Sequence, residues 1–274
     1  MKKVGWYLMS VLPMIAMLAI QTICAVVASI IYMARYGVEI GIQIYMEEIM
    51  QLMVITQIIT LIFTGLWYFF VVLRKNISSE LEEAKKLSWK SVLIILCLAV
   101  SLQGLIHICL TVWQYVAPAQ IEAYNRMMEE SGIGTLTVFS VIATVIMAPL
   151  GEEIVFRGIT VEYLQRAKAP IGVMIFVQAL LFGIMHLNLV QGTYAFFMGL
   201  ISGYLLLTYK TIVAPMLFHA FLNSYSTFGS SLLEKLDPTI YLVACVIVGI
   251  LFFPFGIWML KKDTKKDMSH LLAE

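Results

Sequence analysis

Charged residues are scarce in this sequence, and their scarcity excludes a soluble protein. Lys, Arg, Asp and Glu make up 13% of the 274 residues, whereas 61% are hydrophobic and the mean hydropathy is +0.91. Soluble domains carry about 25% charged residues. The longest polar stretch covers only residues 74–90, too short to fold alone. We therefore expect one membrane domain over residues 1–274, with the lipid bilayer around it. The net charge of +1 indicates no nucleic-acid partner.

Cysteine is also rare. The sequence holds four, all within apolar runs: Cys24, Cys97, Cys109 and Cys245. Their spacing matches neither a CxxC pair nor a thiolate zinc site. We predict that they are packing residues.

Long hydrophobic runs are what the sequence has in abundance. A helix needs about 20 residues to cross the ~30 Å hydrocarbon layer. Eight segments qualify, some with tilt: residues 5–33, 49–73, 91–116, 135–157, 171–188, 192–209, 212–232 and 239–260. The first run far exceeds the ~7 to 15 residues of a signal-peptide core. The sequence thus predicts an all-α polytopic membrane protein, a bundle of about eight transmembrane helices.

The positive charges are sorted by side of the membrane. If the amino terminus is cytoplasmic, fifteen of the eighteen Lys and Arg residues fall on the cytoplasmic side. Positively charged loops resist translocation, so this orientation is favoured. We expect both termini in the cytoplasm of a multi-pass protein of the cell membrane.

Ionisable residues inside spans are costly and tend to mark function. The spans contain six, and two amides accompany them: Glu152, Glu153, Arg157, His107, His186 and His219, with Gln178 and Asn223. His107 has no polar partner at helical spacing, and His270 lies in the tail. We expect neither to be catalytic.

Two glutamates lie near the end of the fourth span. Glu153 and Arg157 are four residues apart and are predicted to pair on one helix face, as in a structural ion pair. Glu152 points about 100° away, with no cation three or four positions from it, and remains free for chemistry. Pro149 and Gly151 are predicted to kink the helix just before the pair.

The histidines lie on two later spans. Gln178, Phe182 and His186 follow each other at four-residue steps, and His219 and Asn223 are also four apart, so each set shares one helix face. A lone helical histidine is more often a packing residue than a catalyst. At ~1.5 Å per residue, however, all three helices can bring these groups to similar depths.

Together these groups suit peptide hydrolysis. A carboxylate beside an imidazole can hold and deprotonate a water molecule. A second histidine and an amide can donate hydrogen bonds to a developing oxyanion.

In these motifs the sequence resembles the CAAX protease and bacteriocin-processing family, also called CPBP or Abi, which includes the type II CAAX prenyl endopeptidases. The family pattern is EExxxR, FxxxH and HxxxN or HxxxD in that order. This chain supplies it within residues 135–230, the expected catalytic core: Glu152 and Glu153 with Arg157, Phe182 with His186, and His219 with Asn223.

The resemblance implies a glutamate-dependent intramembrane endopeptidase that opens toward the cytoplasm. In it, Glu152 and His186 would activate the water, and His219 and Asn223 would form the oxyanion hole. Glu153 and Arg157 would support the site, although Glu153 could share the acid-base role. Phe182 is assigned to substrate binding.

Cofactor and partner follow from the same resemblance. Some family members are labelled metalloproteases, and Glu152, His186 and His219 could hold zinc, but we expect no obligatory metal. The expected substrate is a membrane-associated or lipidated peptide or protein, in peptide processing or bacteriocin self-immunity. The motifs do not indicate an oligomeric state.

Two other functions remain open: a non-catalytic membrane scaffold or immunity protein of the same fold, and a proton-coupled transporter. Other intramembrane proteases fit worse. An HExxH motif is absent, and the three aspartates, Asp237, Asp263 and Asp267, lie outside the predicted spans. The sequence around Ser202 departs from GxSG at Leu200. Gly199 and Gly203 form a GxxxG pattern, which predicts a close helix-packing seam.

Overall fold

The computed structural model describes residues 2–74, 87–133, 136–229 and 237–263. Every regular element in these ranges is helical, and no strand occurs in them, which confirms the all-α fold. The helices are α1 (Lys3–Tyr36, with a turn at Ser10 and Val11), α2 (Val38–Glu47), α3 (Ile49–Leu73), α4 (Trp89–Val116), α5 (Pro118–Glu130), α6 (Val138–Arg166), α7 (Ile171–Met185), α8 (Leu189–Tyr209), α9 (Val213–Ser224) and α10 (Thr239–Asp263). Asp267 and His270 lie outside the described residues.

Within the described residues, six helices are long and apolar enough to cross a membrane: α1, α3, α4, α6, α8 and α10. The predicted spans 171–188 and 212–232 correspond to two shorter helices. Helix α7 has 15 residues, and α9 has 12, followed by a π-helical turn at Tyr225–Gly229. The chain is therefore an integral membrane protein, while the count of eight and the placement of the termini stay predictions.

The outer faces of the long helices are apolar. Ile30, Ile62 and Leu251 expose 55%, 56% and 62% of their surface, and many other aliphatic and aromatic side chains do the same. Such a surface would be unstable in water, because soluble proteins rarely expose large contiguous apolar patches. It is the surface that a lipid bilayer covers.

Helix α6 is the centre of the bundle and contacts α1, α3, α7 and α9. A short α-helical part, Ala148–Glu153, lies between two π-helical segments, Ile142–Met147 and Ile154–Thr160. The chain remains helical through Pro149 and Gly151, with wide π turns on both sides, and the kink stays a prediction. Because neighbouring helices surround α6, its ionisable side chains are kept away from lipid.

Small residues allow the helices to approach closely. A Cβ atom on Gly199 of α8 would lie 2.8 Å from the Cα of Ala179 on α7, and Gly203 abuts the Gln178 amide. The GxxxG pattern is thus a packing seam, as predicted. A Cβ on Gly158 of α6 would lie 2.6 Å from the ring of Tyr68 on α3.

The four cysteines are free thiols in the structure. Cys245 is buried and the other three are partly buried. None forms a disulfide, in keeping with the predicted packing role.

Candidate active site

A fully buried carboxylate lies at the centre of the site. The Glu153 Oε1 atom is 2.9 Å from Nδ1 of His219 on α9, which donates to it, and 3.1 Å from the Arg157 Nη1 atom one turn along α6. The side chains of Glu153 and Arg157 are both 0% exposed. One carboxylate oxygen thus joins α6 to α9, and the pair expected from the four-residue spacing is present.

Glu152 is the more accessible of the two glutamates. Its side chain is 12% exposed, and its Oε2 atom lies 3.8 Å from His219 Nε2. This distance is too long for a hydrogen bond but short enough for strong electrostatic interaction. His219 therefore lies between the two carboxylates, with Nδ1 bonded to Glu153 and Nε2 toward Glu152.

Arg157 is buried without a full set of partners. Its guanidinium carbon lies 4.5 Å from the centre of the Phe182 ring, a cation–π arrangement. In the described part of the chain its Nε and Nη2 atoms have no hydrogen-bond acceptor, and the second oxygen of Glu153 has no donor. Unpaired buried polar atoms are rare and call for a specific explanation, often a functional one.

Phe182 lies among the charged and imidazole groups. Its ring centre is 5.1 Å from that of His186 and 5.9 Å from that of His219, with the rings roughly perpendicular. Phe182 is 1% exposed, so here it contacts the candidate catalytic side chains and Phe156 rather than the surface.

His186 ends α7. Its Nδ1 lies 2.8 Å from the carbonyl oxygen of Phe182. A carbonyl only accepts, so Nδ1 carries a proton, and Nε2 of the neutral ring is left as an acceptor. His186 also interacts electrostatically with Glu152, His219 and Arg157, which places it in the same cluster.

Asn223 has a structural partner that the sequence did not predict. Its Nδ2 donates to the carbonyl oxygen of Thr144 at 2.7 Å. Thr144 lies in the first π segment of α6, where a carbonyl pairs with the N–H five residues later. That residue is Pro149, which has no N–H. Asn223 therefore supplies the donor that proline cannot.

Two of the polar residues picked out in the spans lie apart from this cluster. Gln178 donates to the carbonyl oxygen of Gly199 at 2.8 Å, inside the seam between α7 and α8. His107 bonds the Tyr241 hydroxyl and lies 3.4 Å from the side-chain nitrogen of Gln103, four residues earlier, so the prediction that it lacks a polar partner at helical spacing is wrong. It lines a cavity of about 350 Å³ between α4 and α5, together with Leu110, Thr111, Gln114, Tyr115, Ile121, Tyr124 and Asn125.

Sequence reasoning missed one polar residue beside the site. Gln57 on α3 is buried, and its Oε1 would lie 3.8 Å from a Cβ atom on Gly151, the residue before Glu152. The available signal was an amide inside an otherwise apolar span. A search restricted mainly to ionisable residues passes over it.

Zinc binding by Glu152, His186 and His219 has only partial support from the geometry, and the expectation of no obligatory metal stays a prediction. Among the residues that the structure describes, no group of three His, Cys, Asp or Glu side chains comes into metal-binding positions. The Nδ1 atoms of His186 and His219 are engaged by Phe182 and Glu153, which leaves the two Nε2 atoms as the nitrogens that would hold a metal.

Comparison with known proteins agrees with the motifs. Residues 134–225 match a family model described as type II CAAX prenyl endopeptidase Rce1-like. Searches of curated proteins and of solved structures give no match. The matched segment contains all six candidate catalytic residues, from Glu152 to Asn223. The resemblance to the CAAX protease family is thereby confirmed, and with the membrane helices it supports a CAAX-type intramembrane protease fold for this integral membrane protein.

Proposed function

We propose that this protein is a glutamate-dependent intramembrane endopeptidase of the cell membrane, which hydrolyses a peptide bond in a membrane-associated or lipidated peptide or protein. The observation that carries the proposal is the position of His219 between Glu152 and Glu153, with His186 in the same cluster. Carboxylates and imidazoles inside a membrane bundle are costly, and such groups tend to mark a functional site.

Glu152 is the general base. It is the glutamate that water can reach, since Glu153 is enclosed by Arg157 and His219. Glu152 accepts one proton of the water as the water oxygen attacks the peptide carbonyl carbon. His186 Nε2 accepts a hydrogen bond from the other proton and so orients the nucleophile. Glu152 then returns its proton to the leaving amide nitrogen as the C–N bond breaks.

His219 stabilises the oxyanion when its ring is doubly protonated. With Nδ1 donating to Glu153, Nε2 can donate to an oxyanion only if it also carries a proton. Glu153 and Glu152 face the two ring nitrogens, and Arg157 lies beside Glu153. Asn223 has one further N–H beyond the one given to Thr144, which remains for the same oxyanion.

The test uses purified protein in liposomes and an internally quenched peptide with a farnesylated Cys-aliphatic-aliphatic-Xaa end. We expect the native chain to cleave it and Glu152→Gln to lose at least 100-fold in rate, since the amide cannot accept the proton. Asp263→Asn, at the end of α10, serves as the control and should retain activity. The same peptide without the farnesyl group tests whether the lipid is required.

A broader assay finds the natural substrate. Peptides and membrane proteins are compared between cells carrying the native chain or Glu152→Gln, at equal membrane abundance. A cleavage product that disappears in the variant identifies the substrate. If no product changes while deletion of the protein still gives a phenotype, the scaffold function replaces the protease function.

A further inference from the structure

A polar face of α3 lies against the helix that carries the two glutamates. Gln57, Thr60 and Thr64 are all buried on this face. The threonine hydroxyls are satisfied within α3, because Thr60 donates to the carbonyl of Thr56 and Thr64 donates to that of Thr60, both at 2.8 Å. Gln57 differs, since its Oε1 has no hydrogen-bond donor among the described residues.

Gln57 on α3 packs beside Gly151 of α6, the residue just before Glu152. Its Oε1 lies 3.8 Å from the position that a Cβ on Gly151 would take, and Glu152 is the next residue of α6. The close packing of α3 on α6 holds this register at a second point, where Gly158 meets the Tyr68 ring. The amide is therefore fixed beside the backbone that presents the general base.

The distribution of unpaired polar atoms links Gln57 to the active site. In the part of the chain that the structure describes, six buried side-chain nitrogen or oxygen atoms lack a partner, and four of them belong to Gln57, Glu153 and Arg157. The other two belong to Gln178 and Ser202, on α7 and α8. Natural proteins rarely leave such atoms unpaired except where they act or hold water.

We propose that Gln57 is a positioning residue for Glu152, acting through one water molecule beside Gly151. A water can donate one hydrogen to Gln57 Oε1 and the other to a Glu152 carboxylate oxygen, since both are acceptors. This bridge holds the carboxylate in the orientation in which its other oxygen takes the proton of the nucleophile. The inference rests on the proposed protease function and adds a residue outside the EExxxR, FxxxH and HxxxN motifs.

Two substitutions test the bridge from opposite sides. Gln57→Leu removes the acceptor. Gly151→Ala adds a methyl group whose only near neighbour would be Gln57 Oε1 at 3.8 Å, an ordinary contact distance, so the fold is kept while the space beside the amide is filled. Gln103→Leu is the matched control, because Gln103 is equally buried but lies on α4 near His107.

Steady-state cleavage of the farnesylated peptide is measured for each variant together with thermal unfolding. We expect kcat to fall at least tenfold in Gln57→Leu and in Gly151→Ala, with KM within twofold of the native value and Gln103→Leu near native. The double variant should be no slower than the slower single variant, since both changes remove the same water. A purely structural role of Gln57 would instead leave Gly151→Ala fully active.

The outcomes separate this inference from the proposed function. If Glu152→Gln loses cleavage while Gln57→Leu or Gly151→Ala keeps kcat within twofold of native, Gln57 does not position Glu152. The proposed protease function would still stand. Absence of cleavage by the native chain, or cleavage unaffected by Glu152→Gln, overturns the protease function and this inference with it.

Discussion

At the scale of single residues, the two adjacent glutamates have different surroundings and so different roles. Glu153 is fully enclosed and bonded to Arg157 and His219, whereas the Glu152 side chain is 12% exposed and its Oε2 atom lies 3.8 Å from His219 Nε2. Removing one partner of a buried ion pair leaves an uncompensated charge, at a cost of about 3–5 kcal/mol. Replacing the more exposed carboxylate leaves no such charge.

We therefore expect Glu153→Gln to lower the free energy of unfolding by about 3–5 kcal/mol, because Arg157 loses its counter-charge. Glu152→Gln should change stability by less than about 1 kcal/mol while abolishing cleavage. Thermal or denaturant unfolding in one detergent measures both. Equal stability losses in the two variants would contradict the division of roles.

Asn223 gives a second prediction at this scale. Asn223→Ala leaves the Thr144 carbonyl without a donor and should cost about 1–3 kcal/mol of stability. Pro149→Ala restores an N–H at the position that the π register pairs with Thr144. The double variant Asn223→Ala with Pro149→Ala should thus be more stable than Asn223→Ala alone. If Asn223→Ala reduces cleavage with no loss of stability, Asn223 serves the oxyanion only.

At the scale of helices, close contact between α3 and α6 aligns the site. Gly158→Ala would place a Cβ 2.6 Å from the Tyr68 ring and force the helices apart. We expect a loss of about 1–3 kcal/mol in unfolding free energy, as for other overpacked cores. Gly172 on α7 has open space around its Cβ position, so Gly172→Ala should be neutral or stabilising by up to about 1 kcal/mol. Matching losses in both variants would show that the contact with Tyr68 is not the cause.

Most residues of the candidate site could be predicted from the sequence of the individual helices. Charges are expensive in lipid, so a list of ionisable residues in spans located Glu152, Glu153, Arg157, His186 and His219, which the structure brings together. A helical wheel also predicts the Glu153 to Arg157 pair, because both residues belong to one helix.

Contacts between different helices could not be predicted from the spacing of residues within one helix. The motifs pair Glu152 with His186 and assign Glu153 to support, but they contain no sign that Glu153 bonds His219. That contact depends on how α6 is rotated toward α9, and the π segments alter this rotation. The bond from Asn223 to Thr144 depends on the π register too. Gln57 carries no charge, so a search for costly ions gave it no weight.

At the scale of the whole molecule, the sorting of positive charge predicts the orientation. Lys168 and Lys210 are exposed beside short connections at one end of the bundle, and Glu122 is exposed on α5. In a cysteine-free background, single cysteines at positions 168 and 210 should resist an impermeant thiol reagent added to intact cells. A cysteine at position 122 should react with it. The opposite labelling pattern would show that the protein has the reverse orientation, with both termini outside the cell.

The π segments of α6 have a consequence for how this site can change in evolution. Each residue of an α-helix turns the following side chains by about 100°, and each residue of a π-helix by somewhat less, so deletion of one residue within Ile142–Met147 would move Glu152 and Glu153 to a different face. Every motif letter would remain in place, yet the acids would no longer face His219. A relative with an intact motif but one residue fewer before Pro149 would thus be a candidate pseudoenzyme. Insertions and deletions in this stretch should be more damaging than most substitutions there.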